Sequence, residues 1–163
     1  MSVNEGIGSR PVQNTRGVTT GKNLKKENPD NLHIGFNELG QPFGFYQGQF
    51  ATDMGVLARN IKITYLSWKK VPWGEKETIW KDVKKTWKLH DDKQKIVLKI
   101  LSKVYREFKS RLTRTYITKT MKLKEGEVAD SPIGKYDQIT KEVWEEFKKQ
   151  RTDKSFLVLI VVH

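Results

Sequence analysis

The chain has 163 residues, of which 36% are hydrophobic, and carries a formal net charge of +12. This length allows one domain with tails, and because the hydrophobic fraction lies below the roughly 45–50% of an average globular protein, we expect a modest core. The absence of cysteine excludes disulfides, thiolate zinc sites and a cysteine nucleophile. The positive charge favours polyanionic partners, chiefly nucleic acid and secondly acidic membrane surfaces.

The first 31 residues are rich in Gly, Asn, Thr, Lys and Arg and show no apolar periodicity. This composition predicts a disordered basic tail, without the apolar core of a secretory signal. The sequence GVTTGKN within it resembles a phosphate loop. Such a loop requires four residues between its glycines and Ser or Thr after its lysine, so we reject that interpretation.

Residues 32–47 combine short apolar pieces with Asn37, Gly40, Pro42 and Gly44, which predicts a hairpin or an irregular turn-rich loop. After this segment, apolar residues recur at helical spacings of 4, 3 and 4. This spacing predicts a short helix over residues 49–60. The apolar positions are Phe50, Met54, Leu57 and Ile61.

A second helix is predicted over residues 73–89, with Pro72 in its first turn and Glu75 and Glu77 near its positive N-terminal end. Its apolar face contains Ile79, Trp80, Val83 and Trp87. Trp73, Trp80 and Trp87 recur every seven residues, and we interpret the tryptophans as core residues because each such ring buries about 150–250 Å².

The longest periodic segment predicts a third helix over residues 92–116, with Asp91 and Gln94 as a capping box. Its buried stripe is predicted to contain Val97, Leu101, Val104, Phe108 and Leu112, widened by Ile96, Ile100 and Tyr105.

A polar loop is predicted over residues 117–137, followed by a last helix over 140–150 in which Ile139 and Trp144 form a hydrophobic staple. Residues 152–163 then form an apolar tail whose run FLVLIVV is far shorter than the ~20 residues of a membrane helix. The sequence thus predicts a mainly α fold: one domain over residues 32–151, a small bundle of three principal helices preceded by a short helix and a turn-rich segment.

The positive charge is concentrated in one segment. Between Lys93 and Lys124 lie eleven basic residues and one acid, Glu107. Lys95, Lys99, Lys103, Arg106 and Ser110 recur at spacings of 4, 4, 3 and 4 on the side opposite the apolar stripe. We predict phosphate contacts from one side of this helix. The predicted nucleic-acid-binding residues are Lys95, Lys99, Lys103, Arg106, Lys109, Arg111 and Arg114.

A solvated helix face that binds nothing is the plain alternative. In a stretch with balanced lysines and glutamates it would be the better interpretation. Here acids are nearly absent, so like charges one turn apart cost stability without local compensation. The imbalance favours nucleic acid.

Catalytic and metal-binding motifs are weak in this sequence. His90, Asp91 and Asp92 adjoin one another, but a helix junction with a capping aspartate explains them better than a metal site. The acids cluster in first turns of predicted helices rather than in the separated arrangement that metal-dependent strand transfer needs. We therefore predict no catalytic residue, no metal, no cofactor and no small-molecule substrate.

Six stretches in order resemble the plant transposon proteins of the Ptta/En/Spm type: GFNELGQPFG, GVLARN, ITYLSWKKVP, KETIWKDVKKTW, VLKILSKVYREFKSRLTRTY and ITKEVWEEFKKQR. The resemblance runs from about Arg16 to Arg151. It is carried by Asn37, Gly40, Pro42, Gly44, Gly55, Arg59, Trp68, Pro72, Trp80, Arg106, Lys109, Ser110 and Trp144.

The resemblance implies a helical, DNA-associated, nuclear module of a transposon-encoded protein, and it supplies no catalytic residues. Tyr105 stands where these proteins show Trp, and the apolar tail replaces their polar continuation, so a truncated reading frame and a non-functional transposon relic are alternatives. A further alternative is a module that binds another transposon-encoded protein.

Overall fold

Helices build most of the chain in the computed structural model, which describes residues 32–153. The elements are β1 (Gly35–Phe36), β2 (Pro42–Phe43), α1 (Gln47–Arg59), α2 (Trp73–Trp87), α3 (Gln94–Leu112), a π-helical segment (Thr113–Thr118), α4 (Lys119–Met121) and α5 (Lys141–Thr152), with 3-10 turns at Trp68–Lys70 and Asp91–Lys93. The predicted mainly α fold is confirmed. The predictions for residues 1–31 and for the run FLVLIVV lie outside the described residues. Within 32–153, no helix has the length and apolar character needed to cross a membrane.

The predicted hairpin is confirmed as a two-stranded antiparallel pair, β1 with β2. The Asn37 side chain organises its turn, since Oδ1 accepts hydrogen bonds from the backbone N–H groups of Leu39 at 3.0 Å and Gln41 at 2.9 Å. Gly40 adopts φ +76°, which a residue without Cβ tolerates best. An Asn side chain bonding its own turn is a standard way to reverse a chain.

Helices α1 and α2 pack on the first half of α3. Phe50 of α1 meets the Trp87 ring edge to face at 5.2 Å between centroids, and Trp87 Nε1 donates to Asp53 Oδ2 at 2.9 Å. Helix α2 ends at Trp87 because Lys88 turns left-handed, with φ +51°. The first core cluster contains the buried residues Leu32, Phe50, Met54, Ala58, Ile61, Val71, Trp80, Val83, Trp87, Val97, Leu101 and Tyr105.

The second half of α3 and the π-helical segment pack against α5. The Tyr116 and Trp144 rings meet edge to face at 5.9 Å, and Trp144 stacks on Phe147 at 5.5 Å. Ile139 is buried with Trp144, as the predicted staple requires, and the Thr140 hydroxyl accepts from the Val143 N–H at 3.3 Å. The second core cluster contains Ile63, Phe108, Leu112, Tyr116, Ile117, Ile139, Trp144 and Phe147.

Two local predictions were wrong. Residues 117–121 are helical rather than loop, because the π-helical segment buries Tyr116 and Ile117 and α4 continues to Met121. Asp91 does not cap α3. Its carboxylate instead accepts from Lys84 Nζ, and α3 begins after a 3-10 turn without a side-chain cap.

The segment of residues 60–67 between α1 and α2 has no regular structure, so its carbonyls need partners from elsewhere. Helices α3 and α5 supply them. Tyr105 Oη donates to the Lys62 carbonyl at 2.7 Å, Lys109 Nζ donates to the Tyr65 carbonyl, and Gln150 Nε2 donates to the Thr64 carbonyl at 2.8 Å. These side chains fix the segment on the long helix.

Candidate nucleic-acid interface

The predicted basic row of α3 is exposed. Its cations lie opposite the buried positions of the helix because both sets follow the 3.6-residue period. Among residues 32–153, one ion pair involves this row, and it joins Lys103 to Glu107 at 4.0 Å between exposed side chains. Such a pair contributes little. We call the exposed side chains of Lys95, Lys99, Lys103 and Arg106 the basic face.

Toward its C-terminal end the basic face borders an open depression of about 730 Å³. Arg111 and Arg114, both exposed, extend the cationic lining into the π-helical segment. Glu107 is the only acid in this lining. The depression is lined by Lys103, Arg106, Glu107, Ser110, Arg111 and Arg114. This concave surface can receive an anionic group between several guanidinium groups.

Lys109 does not belong to this surface, and the prediction that it contacts phosphate was wrong. Its side chain is only 4% exposed. The ammonium group donates to the Tyr65 carbonyl and lies 5.0 Å from the centroid of the Tyr105 ring. Lys109 follows Tyr105 by one helical turn, so it faces the buried flank of α3. The spacing from Tyr105 was the signal in the sequence that could have revealed this.

The environment of Lys109 disfavours its charge. Burial, helped by the nearby Arg151 guanidinium, lowers the pKa of Lys109 from 10.5 to about 8. Burial also raises the pKa of Tyr105 well above its ordinary value, with Arg151 opposing the rise. Lys109 and Tyr105 therefore stabilise the fold by donating hydrogen bonds to carbonyls of residues 60–67.

Arg59 is a cation near this surface that the sequence-based site left out. Its pKa is lowered by burial and further by the charge of Arg111, while Tyr136 acts in the opposite direction. The guanidinium groups of Arg59 and Arg111 are thus close enough to repel each other. The signal for Arg59 was its place at the C-terminal end of α1, where a cation suits the helix dipole.

The tryptophans confirm the core interpretation in part. Trp80, Trp87 and Trp144 are buried, and Trp68 is half-buried. Trp73 is 57% exposed, so it does not join the core face of α2. Because Trp87 is enclosed, it cannot serve as a direct contact for a protein partner.

The described part of the chain holds no group of three or more His, Asp or Glu side chains that could bind a metal ion. His90, Asp91 and Asp92 are exposed at the junction of α2 and α3, where Asp91 pairs with Lys84. Asp92 lies 3.9 Å from Lys93 Nζ, so both aspartates are paired with lysines.

Comparison of the chain with protein-family models, with curated proteins and with solved structures finds no match. The resemblance to the plant transposon proteins stays a prediction.

Proposed function

We propose that the chain is a non-catalytic, transposase-related DNA-binding module that contacts phosphates through the basic face of α3. The observation that carries the proposal is the exposure of Lys95, Lys99, Lys103 and Arg106 on one side of a helix whose other side is buried. A rigid row of cations matches the regular spacing of phosphates along a nucleic-acid backbone.

The proposed contacts are to phosphates rather than to base edges. The residues are Lys and Arg, which neutralise phosphates without sequence information. Arg111 and Arg114 continue the contacts through the open depression, whereas Lys109 is withdrawn from the set. The relation to transposon proteins rests on the resemblance of the six stretches, and a nuclear location follows from DNA as the partner. No cofactor, membrane or small-molecule substrate enters the proposal.

The experiment that tests the proposal measures binding of the full chain to a labelled DNA duplex over a series of salt concentrations. With about five phosphates neutralised, the logarithm of the binding constant should fall against the logarithm of salt with a slope of about −4 to −5. Reversing the charges in the triple variant Lys99→Glu, Lys103→Glu, Arg106→Glu should lower affinity by more than tenfold and reduce the slope by about three.

A matched control separates the basic face from net charge. The triple variant Lys85→Glu, Lys141→Glu, Lys149→Glu changes the charge equally at exposed lysines of α2 and α5. Its slope should stay close to that of the original chain. Equal losses in the two triple variants, or no binding by the folded original chain at low salt, would refute the proposal.

A second candidate is a module that binds another transposon-encoded protein. The observation that favours it is the hairpin region, where Leu39 is 82%, Phe43 53% and Phe45 93% exposed. In that case a Phe45→Ala variant should lose capture of the partner while the charge-reversed α3 variant keeps it. The opposite pattern would exclude this candidate.

A further inference from the structure

Exposed aromatic rings occur in two very different electrostatic settings. Phe45 lies just after the hairpin, and residues 32–58 contain no lysine or arginine. Trp73 is the first residue of α2, and residues 60–77 contain four lysines and two acids, Glu75 and Glu77. Both rings are exposed, but only the segment around Trp73 contains lysines.

The backbone around Trp73 is well fixed. Lys69 and Lys70 are exposed on the 3-10 turn that comes just before Val71, a core residue that is 2% exposed. The Val71 N–H donates to the Trp68 carbonyl at 3.1 Å. Pro72 then enters α2 with φ −58°. The ring of Trp73 thus projects from an anchored start of a helix.

The side chains that flank Trp73 carry a small positive excess, with Lys69, Lys70 and Lys76 against Glu75 and Glu77. Glu77 is paired with Lys81 at 3.4 Å. Lys76 Nζ lies 4.9 Å from the centroid of the Trp68 ring. The acid Glu75 is engaged by the Tyr65 hydroxyl, which donates to it at 2.7 Å. Beside Trp73, a Cβ built on Gly74 would meet no atom within 4 Å, so a flat ring can approach here.

This site is held against α3. The Trp68 ring packs on Tyr105 of α3 at 6.0 Å between centroids. Tyr105 lies on the buried flank of α3, so the 3-10 turn packs against that flank rather than against the basic face. Lys69, Lys70 and Trp73 therefore offer a nucleic acid a set of contacts separate from the basic face.

We propose that Trp73 stacks on an unpaired base while Lys69 and Lys70 bind the adjoining phosphates. The partner is then a nucleic acid with a single-stranded segment, and this inference rests on the proposed phosphate binding by α3. An aromatic ring flanked by cations is the usual chemistry for single strands, because every base has a flat face and every nucleotide a phosphate. In a duplex the bases are stacked on each other, so a duplex would use the basic face alone.

The test compares two labelled probes, an oligothymidylate of about 16 nucleotides and a duplex of the same length, titrated with the full chain. Trp73→Ala should weaken binding of the single strand by about 5- to 140-fold, because one stacked base contributes about 1–3 kcal/mol. Duplex binding should change less than about twofold. Trp73→Phe should restore most of the loss, since it keeps an aromatic face.

Phe45→Ala is the matched control, because it removes an exposed ring from the region without cations. It should change neither affinity. The exposed positions of both rings predict that neither variant alters the melting temperature appreciably, which circular dichroism checks. Quenching of tryptophan fluorescence by the oligothymidylate, lost in Trp73→Ala, gives a direct readout of the stacked ring.

The outcomes separate this inference from the proposed function. If Trp73→Ala leaves single-strand binding unchanged, or weakens both probes equally, the stacking proposal is wrong. If the chain binds duplex but not the oligothymidylate, the stacking proposal also fails while phosphate binding by α3 stands. If reversing the charges of α3 leaves binding of both probes unchanged, the proposed function is wrong, whatever the effect of Trp73→Ala.

Discussion

Two sides of helix α3 present cations in opposite environments. On the basic face, Lys103 and Arg106 extend into solvent. On the buried flank, Lys109 and Tyr105 donate to carbonyls of residues 60–67. A cation on the first side is available to an external anion, whereas the one on the second side is committed to the fold. The residues of a basic run must therefore be assigned to faces of the helix before any of them is assigned to a partner.

The largest expected contrast is in stability. Phe108→Ala removes a buried ring that meets Tyr136 at 5.3 Å, and it should lower the free energy of unfolding by about 3–5 kcal/mol. Arg106→Ala, two positions away on the exposed side, should change it by less than about 0.5 kcal/mol. Urea denaturation of both variants measures this. Similar losses would mean that the exposed side also packs against something.

The pH dependence of stability sharpens the contrast between two lysines. The lowered pKa of Lys109, about 8, means that the unfolded chain binds more protons between about pH 8 and pH 10.5, so stability should rise with pH in this window. The expected gain from about pH 7 to about pH 9.5 is about 2 kcal/mol. Urea denaturation across this range measures it. Lys109→Met should flatten the rise, and Lys103→Met, at an exposed position, should preserve it.

Removing the hydroxyl of Tyr105 is a smaller change that tests how much the buried flank contributes to stability. Tyr105→Phe keeps the ring but leaves the Lys62 carbonyl without the donor at 2.7 Å, which should cost about 1.5 kcal/mol. The same variant removes the buried phenol, whose raised pKa would otherwise lower stability above about pH 10. Thermal unfolding at pH values on either side of 10 follows both effects. An unchanged melting temperature would show that water replaces the donor.

The smallest expected effect concerns α5. Its neighbouring residues Gln150 and Lys149 show the same contrast, since one side chain binds a carbonyl of the fold and the other is exposed. Gln150→Ala removes the donor to the Thr64 carbonyl at 2.8 Å and should cost about 1 kcal/mol. Lys149→Ala, at the adjoining exposed position, should cost close to nothing. Hydrogen exchange in residues 60–67 should quicken only in the Gln150 variant. Equal exchange in both would show that α5 does not hold this segment.

Much of the fold was predictable because local patterns agree with the final packing. Helical spacing located α1, α2, α3 and α5 within a few residues, and the density of Asn, Gly and Pro located the hairpin. The burial of Lys109 and the helical state of residues 117–121 depend on contacts with distant segments. The spacing from Tyr105 indicates the flank on which Lys109 lies, but the Tyr65 carbonyl that Lys109 binds is 44 residues away in the chain, outside any local window.

The candidate site was predictable to a similar degree. Six of the seven predicted cations are exposed, because the period of α3 that buries its apolar stripe must also turn its lysines outward. Whether they bind phosphate stays a prediction. Arg59 was not identified, because its place near Arg111 arises from packing between helices. Trp73 was interpreted as a core residue from its spacing to Trp80 and Trp87, but it is exposed.

The π-helical segment Thr113–Thr118 makes the length of the chain adjustable at one place. A π-helical turn accommodates one more residue than the α-helical turn that it replaces. Deleting a single residue there would restore a regular α-helix and leave the residues beyond it on their present faces, whereas deleting one residue from α3 would rotate everything beyond it by about 100°. After such a deletion in α3, Tyr116 and Ile117 would leave the second core cluster, and polar neighbours would enter. An insertion in the exposed loop of residues 122–130 carries no such penalty, so variation in length should accumulate there and avoid the long helix.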